Sequence, residues 1–229
     1  MKTGAAFGIC ALCKERVSKA AMARHLAACA PNHDSRSGVA GELFHLRVEG
    51  KGSPVFWIDL EIKGESPLRR LDDFLRRIWL ECCGHMSAFE IGGVRYSVVV
   101  DHEYGIDRNE RGMSAKVSGA LTRGRRFSYE YDFGSTTYLT LKVLAARNGI
   151  IGKPAARLLA RNEAPVWPCA VCAKPASLLC PFCIDDGNPF SCAGHAREHA
   201  CDEAESFLPV VNSPRMGVCG YTGEAYASS

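Results

Sequence analysis

The chain has 229 residues, of which 47% are hydrophobic and 23% charged, with a formal net charge of +3. This composition is typical of a soluble globular protein that has one domain of ordinary size and small appendages. The sequence has no apolar run of about eighteen residues and no signal-peptide core, so we expect a cytoplasmic protein without a membrane partner. In that compartment, twelve cysteines predict metal ligation rather than a disulfide framework.

Charge is distributed unevenly along the chain. Residues 1–41 carry six Lys or Arg against two acidic residues, whereas residues 162–229 carry three against eight. A basic head and an acidic tail predict different partners at the two ends. Zinc-bound cysteines are thiolates, so three zinc sites of three cysteines and one histidine would lower the net charge to about zero. That total argues against strong nucleic-acid binding by the chain as a whole.

The first motif lies in residues 1–30, where Cys10-x2-Cys13 is followed by His25-x3-Cys29. The cysteine pair suits a tight turn, and the later pair would share one helix face, so all four can bind one zinc ion. Ser18 is the expected N-cap of that helix. The motif resembles a zinc finger of the Cys-Cys-His-Cys type. Its basic residues are equally well explained as solvated charges or as candidate nucleic-acid contacts, namely Lys14, Arg16, Lys19 and Arg24.

After a polar linker at residues 31–41, residues 42–148 predict an α+β domain with a small mixed or antiparallel sheet and one main helix. Alternating apolar residues indicate a hairpin over Phe44–Val48 and Phe56–Ile62. Ser66 and Pro67 open a helix that runs to about Cys82. A second hairpin turns at Gly92-Gly93, and strands follow at 127–131 and 137–146. Residues 149–165 are predicted to be a linker with a short helix from Lys153 to Arg161.

Several reactive side chains have no obvious role in this pattern. Cys82 and Cys83 have no neighbouring donors and are interpreted as core or boundary thiols, and Cys219 as an unpaired thiol. A hidden active site would draw on Cys219 or on carboxylates that converge in space, for which the candidates are Asp101, Glu103, Asp107 and Asp132. No assembled catalytic constellation or small-molecule substrate is predicted.

Motifs spread over the middle domain carry a resemblance to a known family. They are Phe44–Val48, the helix at Leu68–Leu80, Phe89–Tyr96 and above all Tyr129-Glu130-Tyr131-Asp132-Phe133-Gly134. This half of the chain resembles the plasmid pRiA-type ORF-three-like proteins, related to TnpR-like passenger proteins of insertion sequences. The resemblance implies an α+β domain of prokaryotic origin that travels with mobile elements or is fused to zinc motifs. It implies no catalytic residue.

Residues 166–229 contain eight further ligand candidates in four close pairs, namely Cys169/Cys172, Cys180/Cys183, Cys192/His195 and His199/Cys201. Eight donors fill two tetrahedral zinc shells, which brings the expected total to three zinc ions per chain. We favour an interleaved pairing, in which the first and third pairs share one ion and the second and fourth share the other. A sequential pairing stays open, because spacing does not exclude it.

This C-terminal module resembles the cross-braced MYND and HIT fingers, which act as protein-contact modules. Shells closed by four protein ligands would be structural. The sequence therefore favours a non-enzymatic adaptor that contacts nucleic acid through the basic finger and a protein through the acidic module. Alternatives are an enzyme or accessory factor of DNA recombination or nucleic-acid processing, and a purely protein-binding regulatory module.

Overall fold

The computed structural model describes residues 6–99, 109–184, 187, 189–199, 201 and 206–223. The chain divides into two compact units. Unit 1 comprises Met1–Leu75 and His85–Glu163, and unit 2 comprises Arg76–Gly84 and Ala164–Ser229. Within the described ranges, no helix is both long and apolar enough to cross a membrane.

Unit 1 is built on one sheet, which contains ten strands among the residues described. Their order across the sheet is β2-β1-β10-β4-β3-β9-β8-β5-β6-β7, and every neighbouring pair is antiparallel except β6 with β7. The strands are β1 (Phe7–Cys10), β2 (Arg16–Ser18), β3 (Gly41–Gly50), β4 (Ser53–Lys63), β5 (Ser87–Ile91), β6 (Val94–Ser97), β7 (Glu110–Gly112), β8 (Arg126–Tyr131), β9 (Thr137–Gly149) and β10 (Ala156–Asn162). The mixed α+β class is therefore confirmed, but the prediction of a small sheet is wrong.

The α-helices among the described residues of unit 1 are α1 (Lys19–Cys29), α2 (Leu68–Leu75) and the single turn α3 (Val117–Ala120), and a 3-10 turn at Ala30–His33 follows α1. The first backbone N–H groups of α2 are satisfied by carbonyls outside the helix, because Leu68 and Arg69 donate to Ala115 and Met113. Asp72 on α2 is fully buried and accepts hydrogen bonds from the hydroxyls of Ser87 and Tyr129, at 2.6 and 2.7 Å. These bonds attach the helix to β5 and β8.

The two predicted hairpins are confirmed. Strands β3 and β4 pair from Leu43 with Lys63 to Val48 with Ile58, and β5 pairs with β6 across Gly92 and Gly93. Both glycines have positive φ angles, of 61° and 80°, as a two-residue turn requires. The helix predicted to run to Cys82 is α-helical only over Leu68–Leu75 within the part of the chain described, and Arg76–Leu80 form a π-helical turn.

The helix predicted from Lys153 to Arg161 is wrong, because Ala156–Asn162 form strand β10. This strand lies between β1 and β4, and its register joins Ala160 to Cys10 on one side and to Asp59 on the other. The local sequence has helix-forming residues, but the two flanking strands offer it backbone hydrogen bonds on both edges. Tertiary pairing therefore overrides local propensity.

Strand β10 also joins the N-terminal finger to the sheet. The finger hairpin β1–β2 extends the sheet at the edge of β10, and α1 packs over it. One buried cluster contains the finger residues Met22 and Leu26 together with Trp57 from β4 and Leu159 from β10. As predicted, Ser18 caps α1, since its Oγ accepts from the N–H of Ala21 at 3.4 Å. The finger and the sheet thus share one core.

Buried charged side chains of the β3–β4 hairpin pair with one another, and one of them also bonds to the finger. Asp59 is fully buried, with Oδ2 2.6 Å from the Arg47 guanidinium and Oδ1 3.0 Å from His45 Nε2. Arg47 also donates to the backbone carbonyl of Lys19 at 3.0 Å, at the start of α1. A buried carboxylate is tolerated when it is paired and hydrogen-bonded.

A second ionic network fixes the chain where it leaves the finger. Asp34 accepts from Arg147 at 2.7 and 2.9 Å and from Arg157 at 3.2 Å. Both arginines also bind Glu61, which is 2% exposed. Hydrogen bonds from Arg147 hold the pKa of Asp34 below its ordinary value. The charges of two carboxylates and two guanidinium groups therefore neutralise each other, and their hydrogen bonds join the segment that follows the finger to β4, β9 and β10.

Unit 2 has little regular structure among its described residues. Its elements are the π-helical turn at Arg76–Leu80, the strands β11 (Leu178–Leu179), β12 (Phe190–Ser191) and β13 (Leu208–Pro209), and 3-10 turns at Pro181–Cys183 and His195–Glu198. The strands form a small sheet in the order β12-β11-β13. Trp167 stacks on Phe190 with ring centroids 4.8 Å apart. So small an apolar core needs other cross-links.

Replacing Asp34 by asparagine should lower the free energy of unfolding by about 2 kcal/mol at neutral pH, because two arginines would then face one carboxylate. Because the pKa of Asp34 is depressed on folding, its contribution is fully present above the ordinary carboxyl pKa and is lost as the pH falls through the folded-state value. Urea denaturation of both proteins should therefore give a difference that shrinks on acidification below about pH 4. Since both proteins carry the same metal ligands, the difference isolates this carboxylate.

The matched control is Asp73→Asn, because Asp73 pairs with Arg69 and Arg70 on the solvent-exposed side of α2. Its cost should stay within about 0.5 kcal/mol. Equal costs for the two substitutions would contradict the special role of Asp34.

Gly8→Ala tests whether β1 is packed on the sheet. An added Cβ would lie 2.5 Å from both the Arg161 carbonyl oxygen and the Trp57 ring. Since the carbonyl is backbone, we expect a loss of about 1–3 kcal/mol in thermal or urea unfolding. Gly41→Ala is the control, because its Cβ would meet nothing within 4 Å. An unchanged stability for Gly8→Ala would mean that the finger strand does not pack there.

Candidate metal centres

Cysteine and histidine side chains of the described residues converge in four clusters that could each hold a metal ion. Each cluster contains three cysteines and one histidine, and its ligand atoms all lie within 4.8 Å of one another. Together they use all twelve cysteines of the chain. They are the finger site (Cys10, Cys13, His25, Cys29), the first module site (Cys169, Cys172, Cys192, His195), the second module site (Cys180, Cys183, His199, Cys201) and the helix-end cluster (Cys82, Cys83, His85, Cys219).

The finger site has the spacing expected for a tetrahedral ion. Cys10 Sγ and Cys29 Sγ are 3.9 Å apart, and Cys13 Sγ is 3.4 Å from His25 Nε2. Zinc bonds of about 2.3 Å to sulfur and 2.0 Å to nitrogen place tetrahedral ligand atoms about 3.5–3.8 Å apart. The other ring nitrogen of His25 lies 3.6 Å from Glu15 Oε2, a position from which a carboxylate orients a metal-binding imidazole.

The first cysteine pair has the same backbone turn in the finger site and in the first module site. Cys10 N–H donates to the Glu15 carbonyl and Cys10 carbonyl accepts from Lys14, while Cys169 makes the equivalent bonds with Lys174 and Ala173. The residue after each pair is left-handed, with φ of 66° at Lys14 and 58° at Ala173. Two sequence-distant segments therefore fold the Cys-x2-Cys motif into one geometry.

The C-terminal module arranges its eight donors in the interleaved pattern. In the first module site, His195 Nδ1 is 3.5 Å from the sulfurs of both Cys169 and Cys192, and Cys172 and Cys192 sulfurs are 3.9 Å apart. In the second, Cys180 and Cys201 sulfurs are 3.7 Å apart and Cys183 Sγ is 3.4 Å from His199 Nε2. These are the spacings of tetrahedral zinc shells. The hairpin of β11 and β12 carries one pair of each site.

Backbone hydrogen bonds and burial shift the pKa values of these thiols in opposite directions. Hydrogen bonds from the backbone N–H groups of Cys192 and Val171 lower the pKa of Cys169 to about 5. Burial, together with the neighbouring Cys180 and Cys201, raises the pKa of Cys183 to about 12, and burial likewise raises that of Cys29 to about 12. Cys183 and Cys29 therefore resist ionisation in the absence of a cation. A divalent cation removes that resistance, because metal binding displaces the thiol protons.

The helix-end cluster corrects two sequence interpretations. Cys82 and Cys83 were expected to lack neighbouring donors and Cys219 to be unpaired, but these three thiols converge within unit 2. The number of candidate metal sites is four rather than the predicted three. Sequence reasoning missed the cluster because Cys219 lies far along the chain from the Cys82-Cys83 pair.

The predicted nucleic-acid contacts are partly engaged within the protein. Arg16 forms an ion pair of 2.6 Å with Glu163 and stacks over the Phe7 ring, and Lys19 lies 3.0 Å from Glu49. Lys14 and Arg24 lie on the exposed surface, where Lys14 donates to the Ala11 carbonyl. Among the described residues, Lys14 and Arg24 therefore form no ion pair with an acidic side chain, unlike Arg16 and Lys19.

Of the four carboxylates proposed for a hidden active site, the structure describes only one. Asp101, Glu103 and Asp107 lie outside the described residues. Asp132 is buried with a φ of 66°, and its Oδ1 accepts from the N–H groups of Gly134 and Ser135. This is the geometry of an Asx turn, in which the carboxylate shapes the connection from β8 to β9.

Comparisons with known proteins give the chain no family. No family model matches it, and no curated protein matches it. Among solved structures, a protein of unknown function, MM3350 from Methanosarcina mazei Go1, is 16% identical, with a TM-score of 0.46 over 52% of this chain and 69% of that one. The resemblance to pRiA-type ORF-three-like proteins, the prokaryotic origin and the link to mobile elements stay predictions.

Cys172→Ser tests the pairing of the module donors. With the interleaved arrangement, the variant should lose one zinc ion, and Cys192 should become reactive to iodoacetamide while Cys180 stays protected. A sequential arrangement would instead expose Cys180 and protect Cys192. Native mass spectrometry counts the ions, and peptide mapping after alkylation of the folded protein locates the reactive thiols.

Cys13→Ser is the matched control, since it removes one ligand from the finger site and none from the module. It too should lose one ion, with faster amide exchange over residues 7–33 and unchanged protection of the module cysteines. A wild-type protein purified without chelator that carries no zinc would contradict both expectations.

Proposed function

We propose that this protein is a non-enzymatic zinc-binding adaptor whose C-terminal module contacts a protein partner. The observation that best supports this proposal is that both Cys-x2-Cys turns of the module, called knuckles below, present an apolar side chain to solvent. Val171, between Cys169 and Cys172, is 71% exposed, and Phe182, between Cys180 and Cys183, is 58% exposed. Val166 and Ile184 nearby in sequence are exposed as well.

Exposed apolar side chains on rigid supports favour recognition of another protein. A solvent-facing phenylalanine brings no folding stability, and clusters of such residues on soluble proteins mark interaction sites. Each knuckle would be fixed by its metal, so its tip would lose little conformational entropy on binding. Pre-organisation of this kind increases affinity, because less freedom is lost on association.

The metal centres support a structural rather than a catalytic role. Each candidate site has four protein ligands, which fill the coordination of a tetrahedral zinc ion and leave no position for water or substrate. Because the module has a small sheet and few regular elements, its metals would supply much of its folding free energy. Zinc in this proposal maintains the shape of a binding surface.

Charge indicates the chemistry of the partner. Residues 162–229 contain eight acidic and three basic residues, and bound thiolates add further negative charge. We therefore propose a partner segment that combines apolar side chains with lysine or arginine. Electrostatic complementarity between an acidic module and a basic segment mainly accelerates association and excludes acidic competitors.

Nucleic-acid contact through the finger is the other half of the adaptor hypothesis. It would depend on Lys14 and Arg24, since Arg16 and Lys19 are already paired with Glu163 and Glu49. Two cations neutralise few phosphates and would give only a shallow dependence on salt. We therefore assign the principal contact to protein.

Selection from a displayed random-peptide library against the zinc-loaded full chain tests this assignment. We expect enriched sequences that contain apolar residues together with lysine or arginine. Replacing Val171 and Phe182 by serine should weaken binding of a selected peptide at least ~30-fold, as loss of interface anchors does. Both side chains are exposed, so the variant should retain its zinc and its thermal stability.

The matched control is Val39→Ser, because Val39 is a 92% exposed apolar residue of unit 1. It should leave peptide affinity unchanged. Enrichment of acidic peptides, or equal binding by the Val171/Phe182 variant, would refute the proposed surface. Tight binding of single- or double-stranded DNA or RNA that is lost in Lys14→Ala/Arg24→Ala would transfer the principal contact to the finger.

A further inference from the structure

Three thiols whose role the sequence left open lie close together beside the end of the π-helical turn. Cys82 and Cys83 follow that turn, and Cys219 lies in the C-terminal segment of the same unit. Cys83 and Cys219 are exposed and Cys82 is half-buried. Their sulfurs lie within 4.8 Å of each other, which is the spacing found in the other three clusters.

Unit 2 holds the two cysteine segments together through bonds that do not involve the thiols. Trp79 Nε1 donates to the Asn212 carbonyl at 3.1 Å, and Ser213 Oγ donates to the Trp79 carbonyl at 2.7 Å. Ser213 Oγ also accepts from the N–H of Arg215 at 2.9 Å and so shapes the turn that leads to Cys219. Hydrogen bonds between the two segments therefore hold the sulfurs close together without any bond to the thiols themselves.

The backbone conformation next to the cysteines also favours their convergence. Glu81 Oε1 accepts from the N–H of Gly84 at 2.6 Å, and Gly84 has a φ of 72°, so the chain turns directly after the cysteine pair. Cys219 is itself left-handed, with a φ of 51°, which is uncommon for a residue with a side chain. Strain of this kind persists where the surroundings fix it and is concentrated at functional sites.

Sequence spacing supplies a fourth ligand. His85 directly follows Gly84, so Cys82-x2-His85 repeats the spacing of Cys192-x2-His195 in the first module site. One ring nitrogen of His85 groups with the three sulfurs within 4.8 Å, and Nδ1 lies 3.6 Å from Asp132 Oδ1, as a carboxylate lies beside His25. With His85, the cluster has the same three-to-one composition as the other sites.

A buried cation accompanies the thiols. Arg215 is fully buried, and its guanidinium donates to Cys82 Sγ at 3.5 Å. A zinc ion bound by three thiolates and one neutral imidazole carries a net charge of about −1, which a neighbouring guanidinium compensates.

We propose that Cys82, Cys83, His85 and Cys219 form a fourth zinc site, closed by four protein ligands. The ion joins the end of the helical segment to the C-terminal segment that carries Cys219. Its role is structural, and binding releases the thiol protons to solvent as each sulfur becomes a ligand. This site does not depend on the adaptor function, because it concerns the folding of unit 2 and no partner.

Native mass spectrometry of the full chain, expressed with zinc and purified without chelator, tests the site directly. We expect four zinc ions in the wild type and three in each of Cys83→Ser and Cys219→Ser. Both residues are exposed, so these variants should keep the packing around them. Wild-type protein that retains three ions under zinc saturation would overturn the proposal.

Alkylation of the zinc-saturated folded chain gives a second readout that does not depend on counting ions. We expect Cys82, Cys83 and Cys219 to resist iodoacetamide as well as the module cysteines do, and a chelator should make them reactive. In Cys219→Ser, Cys83 should become reactive while Cys169 and Cys180 stay protected. Rapid modification of Cys83 in the wild type, or a disulfide among the three thiols in reduced preparations, would contradict zinc ligation.

His85→Ala distinguishes a four-ligand site from a three-thiolate site. Loss of the fourth ion, with the other three retained, supports ligation by His85. His33→Ala is the matched control, because His33 is an exposed imidazole outside the four clusters; although its Nδ1 lies 3.7 Å from Cys29 Sγ, the finger site already has four ligands, so four ions should stay in place. Retention of four ions in His85→Ala would overturn the assignment of the histidine.

Discussion

Thiols crowded to sulfur separations of 3.7–3.9 Å cannot all ionise without a cation among them. At about 4 Å, two like charges repel by about 4 kcal/mol at an effective dielectric constant of 20. Three clusters of the described residues have such pairs, and a fourth brings its sulfurs within 4.8 Å, so that every cysteine of the chain lies in a cluster. Burial and the neighbouring thiols Cys180 and Cys201 raise the pKa of Cys183 to about 12, so this thiol resists ionisation without a cation. Divalent metal ions are therefore the simplest source of stability for these segments.

The two units depend on that source to different degrees. In unit 1 the finger has a core in common with the sheet, with Trp57 and Leu159 beneath Met22 and Leu26, and two ionic networks fix its helix and its exit. Loss of the finger metal would remove one of several attachments. Unit 2 has short strands and 3-10 turns, so its candidate metals would carry a larger share of its folding. The same type of ligand set would thus anchor an appendage in one unit and organise most of the other.

Features that depend on residues close in sequence could be predicted, whereas features that depend on distant residues could not. Period-two alternation over Phe44–Val48 and the Gly92-Gly93 turn identified hairpins, because both signals are local. The ligand residues of the finger and module could be proposed from close pairs, although the structure was needed to group them. Strand β10 was mistaken for a helix, because its identity is decided by β1 and β4 on either side. Asp59, Glu61 and Asp72 gave no sequence signal of burial, since their partners lie elsewhere in the chain.

The helix-end cluster shows why counting ligands by spacing underestimates metal sites. Three shells could be found because their donors arrive in pairs, and a lone Cys219 carries no such signal. Composition contained a different signal, since nine cysteines in three shells of three leave three over, which is again a set of three. Four such shells would change the net charge from +3 to about −1, so the metal-loaded chain is mildly acidic. In the adaptor that we propose, an acidic, metal-fixed surface with exposed apolar side chains would select for basic and apolar protein segments and against nucleic acid.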